Sequence, residues 1–233
     1  MGKTSDFGKV QTNIEGIHDL RVIDPKTIPH VLKEGEMGCA IEWMVRDHKT
    51  GKVQEHVIKR SESFVQQFLQ IMCVVMNLGG PNNVRDTGNT LRGVYVDWTG
   101  SLGYWLDVLA GAGTITFGIV VGTGAVAPTI SDYALGTIIQ HDAAPPTAGR
   151  LQYGAVTFGA PSADATTSQM TITRNFANSS GGAITVNEIG LYCRAYYSAA
   201  AGYFMIIRDV IAGGIAVPPG QTLTVNYRPQ AVV

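Results

Sequence analysis

From Met170 to Cys193 apolar and polar side chains alternate on both sides of Asn178-Ser-Ser-Gly-Gly182. Successive side chains on a strand point to opposite faces, so this pattern describes two strands with one dry face each, joined by a short turn. A β-hairpin is the simplest arrangement. With Asn178 opposite Ile184, Phe176 falls opposite Val186, Arg174 opposite Glu188 and Ile172 opposite Gly190. One face then carries Met170, Ile172, Phe176, Ile184, Val186 and Tyr192 around a single Arg174–Glu188 pair. A one-residue slip would turn that apolar set to solvent. The pair is therefore expected to fix register more than to add stability, since burying two charges costs about what their attraction returns. Two unrelated surface charges are the competing reading.

The remaining signals also favour strands. Cys39 to Val45 and Val53 to Ile58 flank the turn Asp47-His-Lys-Thr-Gly51 and predict a second hairpin. Leu91 to Asp97, Thr114 to Phe117, Gly118 to Gly122, Tyr153 to Phe158, Gly202 to Ile207 and Leu223 to Tyr227 are shorter strand candidates separated by Gly and Pro turns. Between the hairpin and these strands, Ser63 and Gln66 form a capping box before Phe64, Phe68, Met72 and Met76 at helical spacing. Ile71 to Met76 is apolar all round, so this helix is expected to be buried on every side, against the core or a partner. Leu78-Gly-Gly-Pro81 stops it.

The fold class expected is mainly β, an antiparallel β-sandwich with an N-terminal hairpin-plus-helix region. Residues 1–36 are expected as an extended arm interrupted by Asp24-Pro25 and Ile28-Pro29, residues 37–100 as a docking region, and residues 101–233 as the sandwich, with Thr99 to Trp105 at the boundary.

Charge distribution bears on function. The net charge of −1 and 15% charged residues provide no field for nucleic acid or acidic lipid. Every lysine lies at or before Lys59. Ordinary sheets use lysine to keep their edges apart, so a β-rich half without it suggests surfaces covered by other subunits. A neutral surface kept soluble by hydroxyls and amides is the competing account. Cys39, Cys73 and Cys193 are odd in number and widely spaced, which suits small buried apolar residues rather than disulfides or zinc ligands. No secretory leader is recognised at the start, so synthesis in a cytoplasm is expected.

Several motifs resemble chemistry without completing it. Gly122-Thr-Gly124-Ala-Val-Ala127 matches a dinucleotide fingerprint, but Pro128 stands where the required helix would continue. Val108 to Ile130 has the length of a membrane span, yet five glycines interrupt it and no basic cluster flanks it. His48 and His56 have no third metal ligand nearby and are expected as solvated polar residues. Gly2-Lys-Thr4 lacks a phosphate-binding glycine loop, and Asp132 and Asp142 lie in different turns, which leaves a folded carboxylate pair open. No nucleophile elbow is present. The expectation is no enzyme, no catalytic or metal residues, no cofactor and no membrane span.

The segment Arg174-Asn-Phe-Ala-Asn178 with Ile184-Thr-Val-Asn-Glu-Ile-Gly-Leu-Tyr192 resembles one found in structural proteins of tailed bacteriophages, especially tail-fibre and tail-tip modules. The similarity extends over roughly Gly118 to Tyr227 and includes the opening Gly-Thr-Gly turn and the last strand after Val217-Pro-Pro-Gly220. It implies a virion protein with structural roles for Arg174, Glu188, Gly190 and Arg208. It also implies a homo-oligomer, by analogy a trimer, with other virion proteins as partners and a host glycan or receptor as a further one. Phe68, Met72 and Met76 are the expected docking contacts, and the loops Asp142 to Arg150 and Tyr197 to Gly202 the expected recognition surfaces. A carbohydrate-binding surface module, tested first at Trp98, Tyr104 and Trp105, and a virion-associated polysaccharide depolymerase are the alternatives.

Overall fold

The computed structural model describes residues 32–61, 64–76, 83–95, 106–143, 146–197 and 200–233. Most of the expected arm, the Ser63 cap, the Leu78 to Pro81 stop, and Trp98, Tyr104 and Trp105 lie outside them. In chain order the elements are β1 (Met37–Asp47), β2 (Val53–Arg60), α1 (Gln66–Val75), β3 (Val84–Arg85), β4 (Leu91–Arg92) and β5 (Gly118–Gly122). They continue with β6 (Gln152–Tyr153), β7 (Thr157–Phe158), β8 (Ser162–Ala163), β9 (Thr167–Gln169), β10 (Ile172–Asn178), β11 (Ile184–Tyr197), β12 (Ala200–Val217) and β13 (Gln221–Val232).

These strands form an antiparallel sandwich, as the alternating pattern required. The first sheet runs β2-β1-β13-β10-β6, with β7 beside β10 and β8 and β9 extending from the far end of β13. The second runs β12-β11-β5. Cys39, Ile41, Trp43 and Val45 of β1 register with Pro229, Tyr227, Val225 and Leu223 of β13. The apolar members of that set join Ile119, Ile189, Leu191 and Ile207 of the second sheet in one core. Tyr227 Oη bridges the sheets, donating within 2.9 Å of Asp209 Oδ2 and lying 3.3 Å from the Ile189 carbonyl.

Three expectations change. The hairpin β1–β2 exists with its predicted turn, but it is part of the sandwich rather than a separate docking region, because β1 pairs with β13 along its whole length. The stretch Met170 to Cys193 is not a hairpin. β10 pairs with β13 in the first sheet, whereas β11 pairs with β12 and β5 in the second. The turn between them is an arch from one sheet to the other, held by Asn178, whose Nδ2 donates to the carbonyls of Gly182 (2.9 Å) and Val217 (2.6 Å) and whose Oδ1 accepts from Ser180. Both strands bury the expected apolar residues; alternation reports a dry face and is silent on which strand lies alongside.

The helix is also less buried than expected. Its buried residues are Gln67, Ile71 and Val74, while Phe68 and Met72 are half-buried and Leu69 and Met76 are 65% and 61% exposed. It lies against β12, with no side-chain cap. The Gln66 amide donates instead to the carbonyl of Ile130, 2.9 Å away.

Candidate functional site

The most organised polar site is built around Glu188, in the middle of β11 and fully buried. The chain from Thr123 to Thr137 arches over this strand, and its ends meet through the Thr123 amide and the Thr137 carbonyl (2.9 Å). Glu188 Oε1 accepts from the amides of Gly124 (2.9 Å) and Thr137 (3.0 Å), and Oε2 from the amide of Gly136 (3.1 Å). Arg208 on β12 completes the carboxylate, its Nε and Nη2 donating to Oε2 at 3.1 and 2.9 Å. The same guanidinium reaches the arching segment twice more, through Nη1 to Asp132 Oδ2 (2.6 Å) and Nη2 to the Val126 carbonyl (3.1 Å). Asp132 is half-buried, which disfavours its charge, but the Thr129 amide and hydroxyl and Arg208 outweigh this and lower its pKa. Burial likewise opposes the Arg208 charge, and its two carboxylate partners raise its pKa above the ordinary value.

This geometry explains Gly122-Thr-Gly124 without a nucleotide. A Cβ on Gly124 would sit 2.4 Å from Glu188 Oε1, and one on Gly122 would sit 2.6 Å from the same oxygen and from the Thr137 carbonyl. The glycines let the backbone close on a carboxylate from the same chain. No helix begins there. Gly190, two residues past Glu188, leaves room for Leu135, whose Cδ2 would be 3.1 Å from an added Cβ. Tyr192 Oη then accepts from the Leu135 amide at 2.6 Å. Glu188, Gly190, Tyr192 and Arg208 therefore act as one fastening for residues 123–137.

Arg174 belongs elsewhere, so the expected Arg174–Glu188 pair does not exist. From β10 its guanidinium enters the core and uses all five N–H groups on carbonyls. Nε meets Gly154 (2.8 Å), Nη1 meets Phe117 (3.4 Å) and Ile119 (2.8 Å), and Nη2 meets Gly111 (3.1 Å) and Thr114 (2.6 Å). The Tyr153 ring lies beneath it, 4.9 Å from centroid to guanidinium carbon. Burial lowers its pKa to about 10, which leaves it charged at neutral pH. It ties β10 to β5 and the segment before it.

Of the two histidines, His48 is exposed as expected and His56 is not. His56 is not simply solvated; it contacts the buried carboxylate of Glu42 at 2.6 Å, which also accepts from Asn226 Nδ2 (2.6 Å) and from Arg228. His48 Nε2 lies 2.5 Å from Thr222 Oγ1. Among the described residues no group of three or more His, Cys, Asp or Glu is placed to hold a metal, and no helix is long and apolar enough to cross a membrane. Asp132 and Asp142 are not a working carboxylate pair: Asp132 faces Arg208, and Asp142 caps the Thr147 amide of its own loop (3.0 Å).

Burial of charge leaves a distinctive exterior. Among the described charged side chains from residue 106 onward, Asp107 and Arg194 pair with each other (2.5 Å), and Asp132, Glu188 and Arg208 form the fastening. Asp142, Arg174, Asp209 and Arg228 are buried. Arg150 and Asp164 are the remaining two, and both are exposed. Beside this neutral surface, Leu69, Met76 and Ile130 (65%) project from α1 and from the segment bonded to its first turn. No family model, curated protein or solved structure matches this chain.

Proposed function

We propose that this chain is a structural subunit of a virus particle, of the tail-fibre, tail-tip or decoration kind its sequence resembles, and that it works by self-assembly and by binding the particle or host. The observation that carries this reading is the placement of charge. Among the described residues from 106 onward most carboxylates and guanidiniums are spent inside the fold on pinning loops and joining sheets, and apart from Arg150 and Asp164 the exterior is left mainly to hydroxyls, amides and small apolar groups. A freely diffusing domain gains solubility from exposed charge, whereas a subunit packed among neighbours would have to desolvate it. Exposed Leu69, Met76 and Ile130 supply an apolar contact area next to the half-buried docking candidates Phe68 and Met72.

Mass measurement by light scattering at micromolar concentration tests the proposal. A homo-oligomer is expected, a trimer by analogy, and Leu69→Glu together with Met76→Glu should shift it toward the protomer. A monomer that recruits no particle protein would refute it.

A further inference from the structure

We infer that residues 24–31 of this chain lie extended across one end of the outer face of the first sheet, over Ala40, and satisfy Arg228 and Gln230 through their backbone groups. Cys39, Ile41, Trp43 and Val45 of β1 and Leu223, Val225 and Tyr227 of β13 point into the core, so the residues alternating with them face outward. At one end this outer face is as open as a bare sheet should be: Met44, Arg46, Thr222, Thr224 and Asn226 are all half-buried. At the other end it is not. Ala40, Glu42, Arg228 and Gln230 lie on the same side of the same two strands, yet they are only 1%, 2%, 6% and 4% exposed.

The chain itself leads to this end. Leu32, the first described residue, packs on the outward side of Gly38, its Cδ2 3.2 Å from where a Cβ would stand. From Leu32 the chain reverses into β1 through the turn Lys33 to Glu36, closed by the Glu36 amide on the Lys33 carbonyl (3.0 Å). Gly35 takes a φ of +77°, as the third position of a type II turn requires. The turn is held to the end of β13, with the Gly35 amide on the Val232 carbonyl (2.8 Å) and the Val232 amide on the Glu36 carbonyl (2.9 Å). Because β1 leaves the turn toward Ala40 and Glu42, the chain that reaches Leu32 comes back over those same residues. Four extended residues span about 13 Å, enough to pass from Gly38 to Glu42, so residues 24–31 are long enough to cover the face.

The polar groups at this end call for a peptide backbone. Arg228 lies beside Ala40 and Gln230 beside Gly38, two positions with little or no side chain to fill the trough between their neighbours. Arg228 Nη2 donates to Glu42, but its Nε and Nη1 are buried with no acceptor among the described residues. Gln230 Nε2 donates to Gln169 Oε1 (2.7 Å), and its own Oε1 is buried with no donor. Free N–H groups and a free carbonyl side by side match an extended chain, which offers a carbonyl and an amide at each non-proline residue. Glu42 already balances the Arg228 charge, so neutral carbonyls suit it better than a second anion, and Arg174 is satisfied in the same way elsewhere in this fold. Ile28 and Val31 bring apolar side chains to the trough, and Pro29 favours an extended Ile28. The turn assigns the segment to its own chain, so the contact requires no assembly.

Hydrogen exchange of the full chain, read by mass spectrometry, tests this. Peptides covering residues 24–31 should exchange about ten-fold or more slowly than an unstructured peptide of the same sequence, and dilution should not change this, because the contact lies within one chain. Ile28→Lys with Val31→Lys, which leaves the sheet untouched, should abolish the protection. Ala40→Arg, which fills the trough, should do the same, while peptides from β1 and β13 stay protected in both variants and show the sheet intact. Arg228→Met should speed exchange of residues 24–31 several-fold more than that of β10. Unprotected residues 24–31 in the parent, protection that survives Ile28→Lys with Val31→Lys, protection that vanishes on dilution, or exchange unchanged by Arg228→Met would each overturn the proposal.

Discussion

Replacing Glu188 with Gln tests whether the fastening of residues 123–137 is what the geometry implies. Glutamine keeps one carbonyl oxygen, enough for the Gly124 and Thr137 amides, but puts an NH2 where Oε2 accepts from Gly136 and from two nitrogens of Arg208. Arg208 is then left 4% exposed with only Asp132 as a charged partner. Removing one member of a buried ion pair costs about 3–5 kcal/mol, because the other charge remains desolvated. For a domain of this size each kcal/mol moves Tm by about 2–4 °C, so a fall of about 6–20 °C is expected by calorimetry. Amide exchange locates the effect: Gly124, Gly136 and Thr137 should lose protection while Val225 and Ile41 keep theirs. The double variant Glu188→Met with Arg208→Met should lose less than the sum of its single changes, since it leaves neither charge behind. A Tm within about 2 °C of the parent, with those three amides still protected, would refute the reasoning.

Other consequences are equally specific. Arg174→Lys should destabilise by about 3 kcal/mol or more in denaturant titration, because one ammonium cannot serve carbonyls spread over residues 111–154. Arg174 and Glu188 should show additive changes in a double-mutant cycle, since they share no contact; coupling above about 0.5 kcal/mol would restore the hairpin pairing. Gly124→Ala should cost more than the roughly 1 kcal/mol typical of point changes, because its Cβ has no room beside Glu188, and circular dichroism melts would detect it. Glu42 and Asp132 both have lowered pKa values: burial opposes their charges but is outweighed by His56, Arg228 and Asn226 at one, and by Thr129 and Arg208 at the other. A lowered carboxyl pKa stabilises the fold above the unfolded value and loses that contribution as the folded group protonates. Stability should therefore hold above about pH 4.5 and fall with further acidification, and Glu42→Gln should flatten that slope.

How much of this was legible in the sequence depends on whether the signal was local. Alternation identifies the dry faces of β10 and β11 and the turn at Asn178, because each is set by neighbours in the chain. It cannot distinguish a hairpin within one sheet from an arch between two, since both bury the same side chains. Arg174 shows the limit clearly. Its position on an apolar face demands partners, and Glu188 was the nearest charge of opposite sign, yet the partners are backbone carbonyls, which every residue carries and no sequence pattern marks. Gly122 and Gly124 were readable as a tight turn, but their reason lies at Glu188, 64 residues beyond Gly124. Glu188 and Arg208 are 20 residues apart, and only the fold gives them, with Gly190, a shared task. At the helix, the capping box at Ser63 was a sound local inference, but the first-turn Gln66 amide is satisfied by Ile130, from a segment that local sequence does not connect to it.

The internal use of charge also separates this fold from one stabilised by surface ion pairs. Exposed pairs contribute about 0–1 kcal/mol and are screened by salt, so a protein that depends on them softens as ionic strength rises. Here Glu188 with Arg208, Glu42 with Arg228, and Arg174 with its carbonyls are all removed from solvent. Their directional bonds fix where residues 123–137 lie, which strand β10 meets and how β1 and β13 are joined at the outer face. Because charges inside do the positioning over residues 106–233, the described surface there has only Arg150 and Asp164 as exposed charges, and its hydroxyls and amides can be matched to a partner with little desolvation of ions. High salt should then leave the melting transition nearly unchanged while any association through Leu69, Met76 and Ile130 is retained or strengthened, as expected for apolar contacts. A melting temperature that falls steeply between low salt and 1 M would place the stabilising charges at the surface and remove the premise on which the assembly reading rests.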